Sequence, residues 1–255
     1  MDSDSGENMD INRKALAASV HELYRVFAPY RSSGHPIGCP CCVKAEDVNV
    51  LFSRPLERLS ADDLRRFSRK VLTTWGDVRD FKHFLPRILE LSVENFAAPV
   101  ECYGVFLKLA MANWREWPAV ERVAVERYIQ AIWRVCISDE DAVFHLDGWL
   151  GSFGIAGCEL EPFLRDWEQC RWSPGYEKMR NFIDDNTVTL IRKGTLSGGF
   201  WNADSATRVG EWLLSDALTE RLNSIFEQSL SCDAGYVDEL ALLLDRLAVL
   251  RRSAQ

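Results

Sequence analysis

This chain has no long apolar run. None reaches the ~18 residues that a bilayer-spanning helix needs, so no membrane span is expected in its 255 residues. Strand signals are nearly missing. The best candidate, Asn186 to Arg192, is β-branched and apolar, yet it reads as the continuation of a helix. There is no excess of basic charge either. The net charge is −8, which argues against a general nucleic-acid binder, whose surface usually carries a basic face. The opening residues, Met1 to Asp10, lack the basic and apolar blocks of a secretory signal. A cytoplasmic protein is therefore expected, with its eight cysteines mostly reduced.

Catalytic motifs are missing too. His21-Glu22 is followed by Arg25 where a zinc-protease helix needs its second histidine. Gly151-Ser152-Phe153-Gly154 lacks the Gly-x-Ser-x-Gly order and the preceding strand of a nucleophile elbow. The glycine-rich run from Lys193 to Gly199 lacks the Gly-Lys-Ser/Thr order of a phosphate loop. Asp184-Asp185 and Asp139-Glu140-Asp141 read as caps and solvated turns, because a working carboxylate pair needs an enclosed site.

What is present is helix. Leu16, Val20, Leu23 and Phe27 share one face of a first helix that Pro29 closes. Ser60 is a good N-cap for a second, with Leu64, Phe67, Val71 and Leu72 on one side. Trp75-Gly76-Asp77 reads as a turn and a new cap. The helix it opens holds Phe81, Leu85 and Ile88, with Pro86 inside, which predicts a kink near Lys82. Pro99, Pro118, Pro162 and Pro174 open further helices. Asp204 caps a long amphipathic helix reaching Phe226, and a last helix starts near Tyr236. About nine or ten helices joined by short loops give an all-α fold. The expected form is a multi-helix array, either an irregular HEAT-like α-solenoid or a compact helical domain. Residues 1–10 read as a disordered acidic tail and 11–255 as a single all-α domain, with a cysteine-rich loop over 32–44.

That loop carries the only distinct chemistry. Cys39-Pro40-Cys41-Cys42 contains Cys-x-x-Cys in a Gly/Pro turn, with His35 four residues upstream. Two thiolates three positions apart in a tight turn can bind one metal ion, the local pattern of a zinc knuckle. His35 and Cys41 are the nearest further ligands, and His83 is a candidate from the helix after Trp75. Reduced, idle loop thiols are the plain alternative, since a second Cys-x-x-Cys is missing. The cofactor expectation is thus none, or one structural zinc. Asp77, Asp80 and His83 are spaced by three, so Asp80 could orient the His83 ring. A favourable helix N-terminus is the plainer reading. The singly placed Cys102, Cys136, Cys158, Cys170 and Cys232 read as small buried hydrophobes.

A local basic cluster stands out against the acidic whole. Arg58, Arg65, Arg66, Arg69 and Lys70 fall within one short segment, with Arg65/Arg69 and Arg66/Lys70 four apart on one helical side. They read either as a solvated helix face or as a docking patch for an acidic partner.

Three stretches resemble a family of bacterial proteins. They are the His35-Pro36-Ile37-Gly38-Cys39-Pro40-Cys41-Cys42 loop, the segment from Leu72 to Arg87, and Trp114-Arg115-Glu116-Trp117-Pro118-Ala119-Val120-Glu121. The resemblance implies a bacterial, cytosolic protein. It brings no activity and no catalytic residue with it. Three functions stay open. The leading one is an interaction module, immunity- or adaptor-like, that binds another protein. The second is a metal or thiol enzyme built on His35, Cys39 and Cys42. The third is a nucleic-acid-associated protein using the Arg54–Lys70 segment, which the net charge disfavours.

Overall fold

The computed structural model describes residues 3–31, 38–39, 41–94, 102–138, 146–171, 173–196, 201–230 and 235–254. Among them the fold is all-α. In chain order the helices are α1 (Ser3–Phe27), α2 (Ala45–Leu51), α3 (Ala61–Lys70), α4 (Val78–Glu94), α5 (Cys102–Met111), α6 (Ala119–Ser138), α7 (Leu146–Ile155), α8 (Glu161–Glu168), α9 (Ser173–Lys193), α10 (Ala203–Leu214), α11 (Asp216–Leu230) and α12 (Val237–Ala254). Among the described residues, pairing between extended segments is limited to the isolated bridges Gly38–Trp75 and Val71–Trp75. No helix among the described residues is long and apolar enough to cross a membrane.

The chain parts into two compact units. One runs from Lys14 to Ile132; the other joins the start of α1, up to Arg13, to everything from Trp133 onward. The sequence reading expected a single domain over 11–255. It also expected a tail through residue 10, and α1 already begins at Ser3.

The Lys14–Ile132 unit is built on the face the periodicity pointed to. Leu16, Val20, Leu23 and Phe27 of α1 are all buried. Ser60 caps α3 as expected: its hydroxyl accepts the Asp63 N–H at 3.2 Å while the Asp63 carboxylate accepts the Ser60 N–H at 2.9 Å. Asp77 caps α4 by accepting from the N–H groups of Arg79 and Asp80. The core between α3 and α4 is aromatic. Phe67 lies 4.6 Å from Phe84 and 5.3 Å from Trp75, ring centre to ring centre. Pro86 sits inside α4 and offers no N–H to the Lys82 carbonyl.

The second unit has its own aromatic core. Trp167 packs 5.4 Å from both Trp133 and Phe182, and the two indole N–H groups donate to the carbonyls of Phe163 and Gly175. α9 lies along α12, with Met179, Ile183 and Leu190 buried on one helix and Leu240, Leu243 and Leu247 on the other. The Asn186–Arg192 segment is helical, inside α9.

Two boundaries differ from the sequence reading. Asn202, not Asp204, caps α10, its side chain accepting the Ser205 N–H at 2.8 Å. The expected single helix from Asp204 to Phe226 is broken at Ser215. That residue is extended, with φ −72° and ψ 142°, and its hydroxyl accepts the Leu218 N–H. A serine that can cap the next turn competes with continuing the helix through it. The helix starts expected at Pro99 and Asp139 lie outside the described residues.

Candidate functional site

The cysteine turn lies at the α3–α4 end of the Lys14–Ile132 unit. Gly38 bridges to Trp75, and the Cys39 N–H donates to the Thr74 carbonyl at 2.8 Å. The chain then folds on itself: Cys42 and Val43 both donate to the Cys39 carbonyl, at 2.8 and 2.9 Å. Position 38 admits only glycine in this arrangement, since a Cβ there would stand 2.7 Å from the Val43 side chain. The partner loop is itself a tight one, with Leu72 at φ 65° and Gly76 at φ 69°.

Within this turn three thiols converge. The Sγ atoms of Cys39, Cys41 and Cys42 all lie within 4.8 Å of one another. Cys39 and Cys41 approach to 2.8 Å, and Cys41 and Cys42 to 3.5 Å. All three are free thiols. Sulfurs sharing one zinc at about 2.3 Å stand about 3.8 Å apart in a tetrahedral site. Three thiols this close could in principle hold one metal ion. Titration of the cluster is uneven. The hydrogen bond from Cys41 lowers the Cys39 thiol below its ordinary value. The Cys41 thiol is pushed up to about 11, first by that bond and then by Cys42.

The basic cluster turns out to serve this turn. Arg66 and Lys70 both donate to the Cys42 carbonyl, at 3.0 and 2.7 Å. Arg66 also reaches Asp47 at 2.7 Å, and Asp47 closes the start of α2 by accepting the Lys44 N–H. One guanidinium therefore ties α2, α3 and the cysteine turn together. Arg65 pairs with Asp62 on its own helix. Arg58, Arg65 and Arg69 are exposed. Of the five basic residues read as one patch, two hold the turn and three face outward.

The remaining predicted residues are placed differently. His35 lies outside the described residues. His83 is not a member of the three-sulfur group. Its Nδ1 stands 2.9 Å from the Tyr30 carbonyl, which can only accept, so Nδ1 donates there. Asp80 accepts the Asp77 N–H at 3.2 Å, the work of a helix start.

Next to His83 the fold holds a polar cluster that the sequence did not reveal. Lys82 donates to Glu121 at 2.6 Å and to the Tyr30 hydroxyl at 3.2 Å, and Tyr30 donates to the other Glu121 oxygen at 2.5 Å. The ammonium also sits 4.2 Å from the Trp117 ring centre. Hydrogen bonds fill this cluster, and it reads as a structural ion pair. The partners are 39 residues apart, a separation no local pattern announces. Compared with known proteins, the chain matches no family model, no curated protein and no solved structure.

Proposed function

We propose that this is a zinc-stabilised interaction protein. Cys39, Cys41 and Cys42 supply thiolates to one ion, and His35 completes the ligand set. The observation that carries this reading is the convergence of three free thiols in a turn fastened by backbone bonds. The ion locks the turn to α3, whose outer side presents Arg65 and Arg69, with Arg58 on the short turn before it. That fixed basic face is offered to an acidic protein partner.

Elemental analysis of untagged protein, purified without chelator, tests the metal. About one zinc per chain is expected. Cys39→Ser combined with Cys42→Ser should lose it and lower Tm, because binding of a structural ion is part of the folding free energy. A metal-free protein with unchanged Tm in the double variant overturns the reading. For the partner face, Arg65→Glu with Arg69→Glu should abolish binding to an acidic peptide, with zinc content unchanged.

A further inference from the structure

The second unit contains an open cleft whose chemistry is independent of the cysteine turn. Its volume is about 370 Å³, and Arg165, Arg208, Arg221, Glu161, Glu168 and Trp212 are among its lining residues. That size falls in the range of roughly 300–1,000 Å³ found for small-molecule sites. Three arginines against two glutamates leave the lining one positive charge in excess.

The three arginines are not equivalent. Arg221 is committed: its Nε and Nη2 both meet the Glu168 carboxylate at 2.6 Å, and Glu168 is buried. Trp212 adds a third bond to that carboxylate from its Nε1, at 2.5 Å. The buried glutamate is thereby satisfied, and its effect is to hold the Trp212 ring in place. Trp212 is also stacked on Trp167, with ring centres 6.0 Å apart and planes inclined by 26°. A half-buried indole fixed on one side by a buried ring and at its edge by a carboxylate makes a rigid flat wall.

Arg165 and Arg208 are available. Arg165 is exposed and makes no side-chain hydrogen bond or ion pair among the described residues. Arg208 pairs with Glu161 at 3.2 Å and Asp204 at 3.0 Å, but those acids are 53% and 74% exposed. Exposed pairs of this kind exchange readily with water and with other anions. A guanidinium offers two parallel N–H donors that match the oxygens of a phosphate or carboxylate.

We propose that this cleft is a binding site for a small ligand that joins an oxyanion to a flat ring. The oxyanion, a phosphate or carboxylate, is held by Arg165 and Arg208. The ring lies on Trp212.

Calorimetric titration of the full chain with phenyl phosphate, benzoate and inorganic phosphate tests this. At least one ring-bearing probe should bind saturably, and more tightly than inorganic phosphate. The stronger of phenyl phosphate and benzoate identifies the oxyanion. Arg165→Ala and Arg208→Ala should each weaken binding roughly tenfold, the loss of one charge-assisted contact. Arg58→Ala, on the other unit, should leave it unchanged, and circular dichroism should report the same helix content in every variant. The proposal is overturned if none of the probes binds at about 10 mM, a threshold corresponding to negligible affinity. It is equally overturned if binding survives both arginine substitutions, or if inorganic phosphate binds as well as the stronger of the two ring-bearing probes.

Discussion

Glu121 and Glu168 are both buried carboxylates, each held by one cation and touched by one further hydrogen-bonding aromatic side chain. Their surroundings differ. Lys82 and Glu121 are 8% and 6% exposed, so the whole pair is sealed under Tyr30 and Trp117. In the other unit Glu168 is 6% exposed but Arg221 is 49% exposed, because the guanidinium reaches in from a cleft. A sealed pair has given up water on both sides, and only the mutual contact offsets that cost. A half-open pair keeps part of its hydration and can shape a surface. The first arrangement is architecture; the second is the floor of a place where a ligand can sit.

Removing the cation should separate the two cases. Lys82→Met leaves Glu121 buried with one neutral donor, and the expected loss is about 3–5 kcal/mol in urea unfolding. Adding Glu121→Leu should recover most of it. Arg221→Ala should cost less, about 1–3 kcal/mol, since water can enter the cleft and solvate Glu168. An equal or larger loss at Arg221 would show that the cleft is closed in solution and would end the contrast.

A smaller effect belongs to the surface. Ser60→Ala removes the cap of α3 and should cost about 1 kcal/mol at neutral pH. Burial would raise the Asp63 carboxyl, yet bonds from Ser60 and the charge of Arg54 hold it below its ordinary value. A carboxylate so lowered stabilises the fold above the ordinary carboxylate pKa of about 4. It loses that contribution as pH falls through its lowered value. The cost of Ser60→Ala should therefore shrink in acid, and a constant cost from pH 7 to about pH 2 would refute the reciprocal cap. At the cysteine turn the readout is order rather than energy. In metal-free protein, limiting iodoacetamide should modify Cys39 before Cys41, as seen by peptide mass spectrometry. The hydrogen bond that lowers the first thiol raises the second. Reversed or simultaneous labelling would contradict the proton arrangement.

Much of the helical fold was legible beforehand. Leu16, Val20, Leu23 and Phe27, or Ser60 with Asp63, are local patterns that need no partner to be read. Ser215 was not, because a half-buried serine in an amphipathic run is compatible with both a helix interior and a cap. The helix Ala45–Leu51 was missed for a related reason: its seven residues bury only Leu51, too little to show a period. At the candidate sites the sequence named the thiols but not their fastening. Arg66 and Lys70 looked like one patch with Arg58, Arg65 and Arg69, since spacing reports which side of a helix a residue takes and not what waits there.

By itself, then, the sequence determined the class of the fold, the capped helix starts at Ser60 and Asp77, and the three cysteines that meet in one turn. Each follows from interactions between residues a few positions apart. Only the tertiary structure decided that two basic side chains hold Cys42, that Lys82 is sealed against Glu121, and that Arg165, Arg208 and Arg221 line one cleft. The bonds of Arg66, Lys70 and Lys82 join residues from 24 to 39 positions apart. Packing, not periodicity, chooses partners at that range.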